Sequence, residues 1–337
     1  MFKRKTLFII GAGASAEVNL PVSGKLAKKI ARLLTVDRDS PENPEGERLL
    51  AQLYDRYPLA HKGYHRAAQI ISEGVGLANS IDDFLDRHND DKAIQRVGKA
   101  AIVETIITAE RESLLLRTLR SKTTIQELEI TWYLKFFRML GARVNVSNAR
   151  QIFDNVAFIV FNYDRCLEHF LIGALQLVYG MGQNEAVQAV FDCHIIHPYG
   201  VIADLPYRGS GIPFGGSENF EYDCVTASAG VKIFTEQIAA GEMLQQLHSE
   251  LAQAEQIVFL GFGYLDENMI LLRPSTKMNL KPVFGTALGM SESSVNAVKY
   301  QLANFFNGGL HGILPAMRVS DHTCAALLDH YAMQLPN

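Results

Sequence analysis

Five short apolar runs punctuate the chain, and each ends on glycine or on small polar residues. Thr6-Leu7-Phe8-Ile9-Ile10 runs into Gly11-Ala12-Gly13-Ala14-Ser15, and Val156-Ala157-Phe158-Ile159-Val160-Phe161 runs into Asn162-Tyr163-Asp164. Cys193-His194-Ile195-Ile196 precedes His197-Pro198-Tyr199-Gly200, and Gln256-Ile257-Val258-Phe259-Leu260 stops at Gly261-Phe262-Gly263. Pro282-Val283-Phe284-Gly285-Thr286 closes the series. Apolar runs without alternation suit strands whose two faces are both covered, as in a parallel sheet. Helical spacing separates most of them: Leu26, Ile30, Leu33 and Leu34 form one stripe, Cys166, Leu167, Phe170 and Leu171 another, and 235–254 reads as helix. Leu20-Pro21-Val22-Ser23 reads as an extended linker with Ser23 capping the first of these helices. The pattern predicts an α/β fold with a doubly wound, mostly parallel, Rossmann-like sheet, whose ligands bind at the carboxyl ends of the strands.

The middle of the chain has a different character. Residues 35–44 are polar and proline-bearing, and from Glu47 to about Leu140 the periodicity is helical with no convincing strand. Residues 1–34 and 150–337 are therefore expected to build the nucleotide-binding core, with 35–149 as a helical insertion or subdomain. Ser80 suits a helix cap, and Asp82 and Asp83 suit the positive end of the helix dipole, although they could also face the cleft. Trp132, with Tyr133, Phe136 and Phe137, reads either as core or as an interface anchor.

Composition narrows the function classes. The 337 residues are 48% hydrophobic with a net charge of −4, so the chain has no overall positive field to draw in nucleic acid or anionic lipid. The basic start followed by Leu7 to Ile10 is too short for a signal peptide or a membrane span. Cys166, Cys193, Cys224 and Cys324 lack the close pairing that structural zinc needs, which leaves no metal expected and fits a soluble, cytoplasmic protein.

Three segments carry chemistry. The Gly11-Ala12-Gly13-Ala14-Ser15 turn can bring backbone close to a phosphate at a helix start, or be only a tight turn. A dehydrogenase would also need an acidic residue ending a second strand about twenty residues on, and the region from Ala31 to Leu34 is basic amphipathic helix instead. Asn162 and Asp164, poor strand residues at a strand tip, are helix caps or ligand contacts. His197, also at a tip, is either a packed histidine or a general base. By the two-residue period His194 and Ile196 face one way, and Ile195 and His197 the other.

The order of these segments, glycine turn with serine, then Asn-Tyr-Asp, then His near Gly, then Gly261-Phe262-Gly263 with Asp266 and Asn268, resembles the sirtuin-like superfamily. The nearest resemblance is to bacterial NAD-hydrolysing members of antiphage defence, over 8–34 and about 156–286. It implies that Gly11, Ala12, Gly13, Ala14, Ser15 and Pro21 bind NAD, with Asp164, Gly261, Gly263 and Asp266. It also implies that Asn162 contacts the nicotinamide ribose and that His197 is the catalytic base. The deacetylase zinc cysteines are missing, Leu20-Pro21-Val22-Ser23-Gly24 replaces an acidic-aromatic-arginine run, and Pro198-Tyr199 separates His197 from its glycine. The expected activity is therefore NAD glycohydrolysis to nicotinamide and ADP-ribose, with NAD as substrate. The resemblance further implies a homo-oligomer held inactive until triggered, and an activating protein partner such as a defence-system ATPase. Two rivals stand beside it: a non-catalytic sensor of NAD or ADP-ribose, and an ADP-ribosyltransferase or deacylase.

Overall fold

Short runs rich in branched and aromatic residues give the first five of six strands: β1 (Thr6–Ile10), β2 (Val156–Val160), β3 (His194–Ile196), β4 (Gln256–Leu260), β5 (Val283–Thr286) and the less apolar β6 (Met317–Ser320). A computed structural model describes residues 1–35, 43–58, 63–121, 125–209, 211–216, 222–238 and 241–337. The strands form one sheet in the order β3-β2-β1-β4-β5-β6, with every neighbouring pair parallel. β1 is central, with Phe8 opposite Phe158 on one side and Val258 on the other. The chain steps outward in one direction from β1 to β3, then returns to β1's other edge and steps outward to β6. This is the doubly wound, Rossmann-like α/β arrangement, and its direction reverses between β1 and β4.

Alternation along β1 divides the core in two. Leu7 and Ile9 join one apolar layer with the helices Ser23–Leu34, Gly63–Gly74 and Gly241–Gln253, while Phe8 and Ile10 join the other with Trp132–Leu140, Cys166–Tyr179 and Cys324–His330. The 35–149 stretch forms helices and contains no strand among its described residues. Its helices sit within both layers. The longest, Lys92–Glu112, carries Ile94, Val97 and Ile107 into the first layer and Ala109 into the second, so the helical stretch shares the core of the sheet layers. The expected helix over 235–254 is present as Phe234–Ile238 and Gly241–Gln253, with 239–240 outside the described residues.

Two expectations are corrected and one alternative is settled. β6 extends the series beyond Thr286; its sequence, Met317-Arg318-Val319-Ser320, buries Met317 and Val319 and exposes Arg318, as an edge strand does, so no apolar run announces it. Ser23 does not cap its helix, because the cap position falls on Val22, which offers no side-chain acceptor. Trp132, Tyr133, Phe136 and Phe137 are all buried core rather than an interface anchor. Among the described residues no helix is long and apolar enough to cross a membrane.

Candidate active site at the sheet's switch point

The tips of β1 and β4 meet where the strand order reverses, and their glycine turns are pressed together backbone to backbone. A Cβ on Gly11 would lie 2.7 Å from the Gly261 carbonyl oxygen, one on Gly13 2.8 Å from Gly261 Cα, and one on Gly261 2.0 Å from the Ala14 nitrogen. Gly261 also stands in the left-handed region, with φ of 57°. These three glycines are therefore required by the fold itself. The Gly13 N–H donates to the Gly261 carbonyl, the Ala14 N–H to Gly11, and the Gly261 N–H to Thr286 Oγ1 at 2.8 Å. Only the five residues Ala12–Ala16 follow as helix.

The second strand tip is locked onto this turn. Asn162 is 7% exposed, and its Nδ2 donates to the Gly11 carbonyl at 3.1 Å and to Ser15 Oγ at 3.0 Å. Its side-chain oxygen has no protein donor among the described residues. Asp164 accepts the Cys166 N–H, but the cap position of the helix Cys166–Tyr179 is Arg165, which makes no side-chain cap bond, so neither Asn162 nor Asp164 caps it. Arg165, next in sequence, is buried against Glu110: Nε reaches Oε1 at 3.1 Å, and Nη2 pairs with Oε2, which also accepts the Gly215 N–H. The Trp132 indole N–H donates to the Ala14 carbonyl at 3.0 Å, so the helical stretch braces the glycine turn from behind.

His197 lies elsewhere. The period-two reading holds: His194 pairs with Glu250 on one face, while His197 turns to the other and bonds Glu168 through Nε2 at 2.7 Å. Its Nδ1 lies 3.3 Å from the Asn162 main-chain oxygen. Burial pulls the imidazole pKa down, but the Glu168 carboxylate outweighs this and holds it above the ordinary histidine value. Glu168 is raised by burial and lowered further by His197, ending below the usual carboxylate range. The pair is a partly buried ion pair behind the Asn162 backbone.

A cleft of about 370 Å³, open to solvent, occupies the switch point. Of the residues expected to bind NAD, Gly11, Ala12, Gly13, Asn162, Gly261 and Gly263 line it. Ala14, Ser15 and Asp164 are buried behind its wall, and Pro21 precedes the Val22-Ser23-Gly24 segment that does line it. His197 and Asp266 are not on the wall; Asp266 accepts from Gln301 instead, while its neighbours Glu267 and Asn268 line the cleft. From the His197 loop the side chain presented to the cleft is Tyr199, whose hydroxyl donates to Asn268 Oδ1 at 2.7 Å.

Two lining elements were not assigned a ligand role from sequence. The twelve-residue helix Ser23–Leu34 begins at the cleft with no side-chain cap and no acid in its first turn. The N–H groups of Ser23 and Gly24 have no acceptor among the described residues, and an uncapped helix start attracts anions. Gly24 meets nothing within 4 Å of a built Cβ, so packing does not require glycine there. The other element is Asp82. Ser80 does cap the helix Ile81–Arg87, accepting the Asp83 N–H, and Asp83 pairs with Arg87. Asp82 instead lines the cleft and accepts a hydrogen bond from the Tyr163 hydroxyl. Burial raises its pKa to about 6, with Glu267 and Asp86 adding to the rise and the Tyr163 bond opposing it. The lining holds two carboxylates, Asp82 and Glu267, and no lysine or arginine among the described residues.

Fold and cleft together define a Rossmann-like protein with an open cleft at its topological switch point. No protein-family model matches the chain, and no curated protein matches it.

Proposed function

We propose that the protein is an NAD glycohydrolase of the sirtuin-like type, cleaving NAD to nicotinamide and ADP-ribose. The observation that carries this reading is the charge layout of the switch-point cleft, which offers uncapped helix amides for a pyrophosphate and a carboxylate, Asp82, in the same lining as Asn162. NAD carries an anionic pyrophosphate and a cationic nicotinamide ring, and the cleft supplies a partner for each. Asn162, held through its Nδ2, directs its side-chain oxygen toward the ribose. Fixing the ribose in this way is how a site gains rate without moving during the reaction.

Cleavage places positive charge on the sugar as the nicotinamide leaves, so a nearby carboxylate stabilises the transition state more than the ground state. A hydrolase of this kind would drain its own cell of NAD, so activity held in check by assembly or by a protein partner, as in antiphage defence, belongs to the same reading. One observation favours a second reading. His197 is engaged by Glu168 and stands off the cleft wall, as it would in a silent NAD or ADP-ribose sensor.

The test is nicotinamide release from NAD by the purified chain across a range of protein concentrations, beside Asn162→Ala, with NAD affinity measured by calorimetry. Release that falls at least about a hundredfold in Asn162→Ala supports the hydrolase. Tight NAD binding with no release at any concentration supports the sensor instead.

A further inference from the structure

We propose that Asp82, rather than His197, is the general base of the site, taking the proton from the water that attacks the ribose. This rests on the hydrolase reading and adds to it the group that performs the proton transfer.

Four geometric facts lead there. Asp82 is one of only two carboxylates among the described residues that line the cleft, and it does so together with Asn162 and Tyr199. It is oriented, because the Tyr163 hydroxyl donates to its Oδ1 and also reaches the Lys232 carbonyl at 3.2 Å. Tyr163 follows Asn162 directly on the β2 tip, so one segment positions both the ribose contact and the base. The histidine that sequence order would nominate has Nε2 committed to Glu168 and Nδ1 facing a main-chain oxygen. A base must reach the water it deprotonates, and of the two carboxylates that line the cleft Asp82 is the one held by a hydrogen bond from the β2 tip.

The step balances without a further reactant. Water oxygen bonds to the anomeric carbon of the ribose, and the carbon–nitrogen bond to nicotinamide breaks. Its electron pair passes to the pyridinium nitrogen, which becomes neutral, and the water proton passes to the Asp82 carboxylate. ADP-ribose and nicotinamide leave, and Asp82 returns its proton to solvent.

The groups facing Asp82 come from every element around it. They are Tyr163 after β2, Tyr199 after β3, Glu267 on the helix after β4 and Asp86 on its own helix. Burial, Glu267 and Asp86 hold the carboxyl pKa near 6, so the rate should rise with pH to half its plateau at about 6.

The experiment measures kcat against pH and NAD affinity for the wild type, Asp82→Asn, Tyr163→Phe and His197→Gln. Asp82→Asn keeps an acceptor for Tyr163, and an unchanged circular-dichroism spectrum shows that the protein has folded. Its kcat should fall ~10²–10⁴-fold and the acid limb should disappear. Tyr163→Phe removes the hydrogen bond that lowers the Asp82 pKa, so its acid limb should move to higher pH. His197→Gln should keep its acid limb. An active wild type whose kcat drops less than threefold in Asp82→Asn, or whose limb vanishes in His197→Gln, overturns the proposal and leaves the hydrolase standing. A wild type that binds NAD and releases no nicotinamide overturns both.

Discussion

Adding one methyl group at Gly24 and at Gly13 should move stability in opposite directions and ligand affinity in the same one. Gly24 is the second residue of the helix Ser23–Leu34, and nothing lies within 4 Å of a Cβ built there. Alanine in a helix gains about 0.5–1 kcal/mol over glycine. With an unfolding entropy of roughly 2.1 cal/mol/K per residue over 337 residues, that raises Tm by about 1 °C. At Gly13 the new Cβ lands 2.8 Å from Gly261 Cα and 2.9 Å from its oxygen, both backbone atoms that cannot swing aside. Overpacking of this kind costs about 1–3 kcal/mol, which lowers Tm by roughly 1–4 °C. NAD affinity should fall in both variants. At Gly24 the methyl enters the cleft and blocks approach to the helix amides, and a tenfold weaker Kd corresponds to about 1.4 kcal/mol. Scanning calorimetry gives the two Tm shifts, and titration calorimetry gives the two affinities. A stabilised Gly24→Ala that binds NAD as the wild type does would refute the argument, because the glycine would then have neither a packing reason nor a ligand reason.

Asp82 ionises at about 6 in the folded protein against 3.8 when unfolded, so the folded state holds the proton longer and wild-type stability should fall as pH rises between those values, by at most ~3 kcal/mol. Asp82→Asn removes that slope and should resist urea better than the wild type at pH 7.5; no relative gain between pH 3.5 and 7.5 would count against a buried charge. Glu168→Gln should lower the His197 pKa, because burial is then opposed only by the Asn162 main-chain oxygen and Asp164, and an unmoved imidazole titration by NMR would refute the pairing. The stability His197 draws from the pair is present below 6.5 and lost as pH rises through its raised folded value. Glu110→Gln leaves Arg165 buried without its counter-charge and should cost ~3–5 kcal/mol in urea unfolding, a loss under 1 kcal/mol contradicting the burial. NADP brings a further phosphate to a cleft with two carboxylates and no lysine or arginine among its described lining, so it should bind at least about tenfold more weakly than NAD; equal affinities by competition would sink the charge argument.

The sheet was legible because its central strands are buried on both faces, and β1 and β4 fall on the residues their apolar runs mark out. β6 was not, since an edge strand needs only alternate burial and tolerates Arg318. The site was legible only where backbone geometry dictates residue type, as in the paired glycine turns. Asp82 could not be separated from Asp83 by sequence, because both suit a helix start. Which of them turns to the cleft depends on where Tyr163 arrives from a strand some eighty positions away. Glu168 was overlooked for a similar reason. A first-turn acid is adequately explained by the helix dipole, and its partner His197 comes from another strand.

The glycine turns, which most suggested a dinucleotide, turn out to say the least about one. Gly11, Gly13 and Gly261 are each demanded by contacts under 3 Å with one another's backbone, so a protein of this fold would need them with no ligand at all. Two of the turn's amides are spent on that contact as well. The case for a ligand moves to positions that the fold leaves free. Gly24 and Gly263 line the cleft with no packing need for glycine, and the Ser23–Leu34 helix begins there uncapped. Asp82 keeps a buried carboxyl in the same lining as Asn162 at a cost in stability. A fold under no functional demand would relieve each of these by an alanine, a serine cap or an asparagine, and all three relieving changes act on the same cleft. That convergence of unrelieved costs on one surface is the strongest physical reason to place the chemistry there.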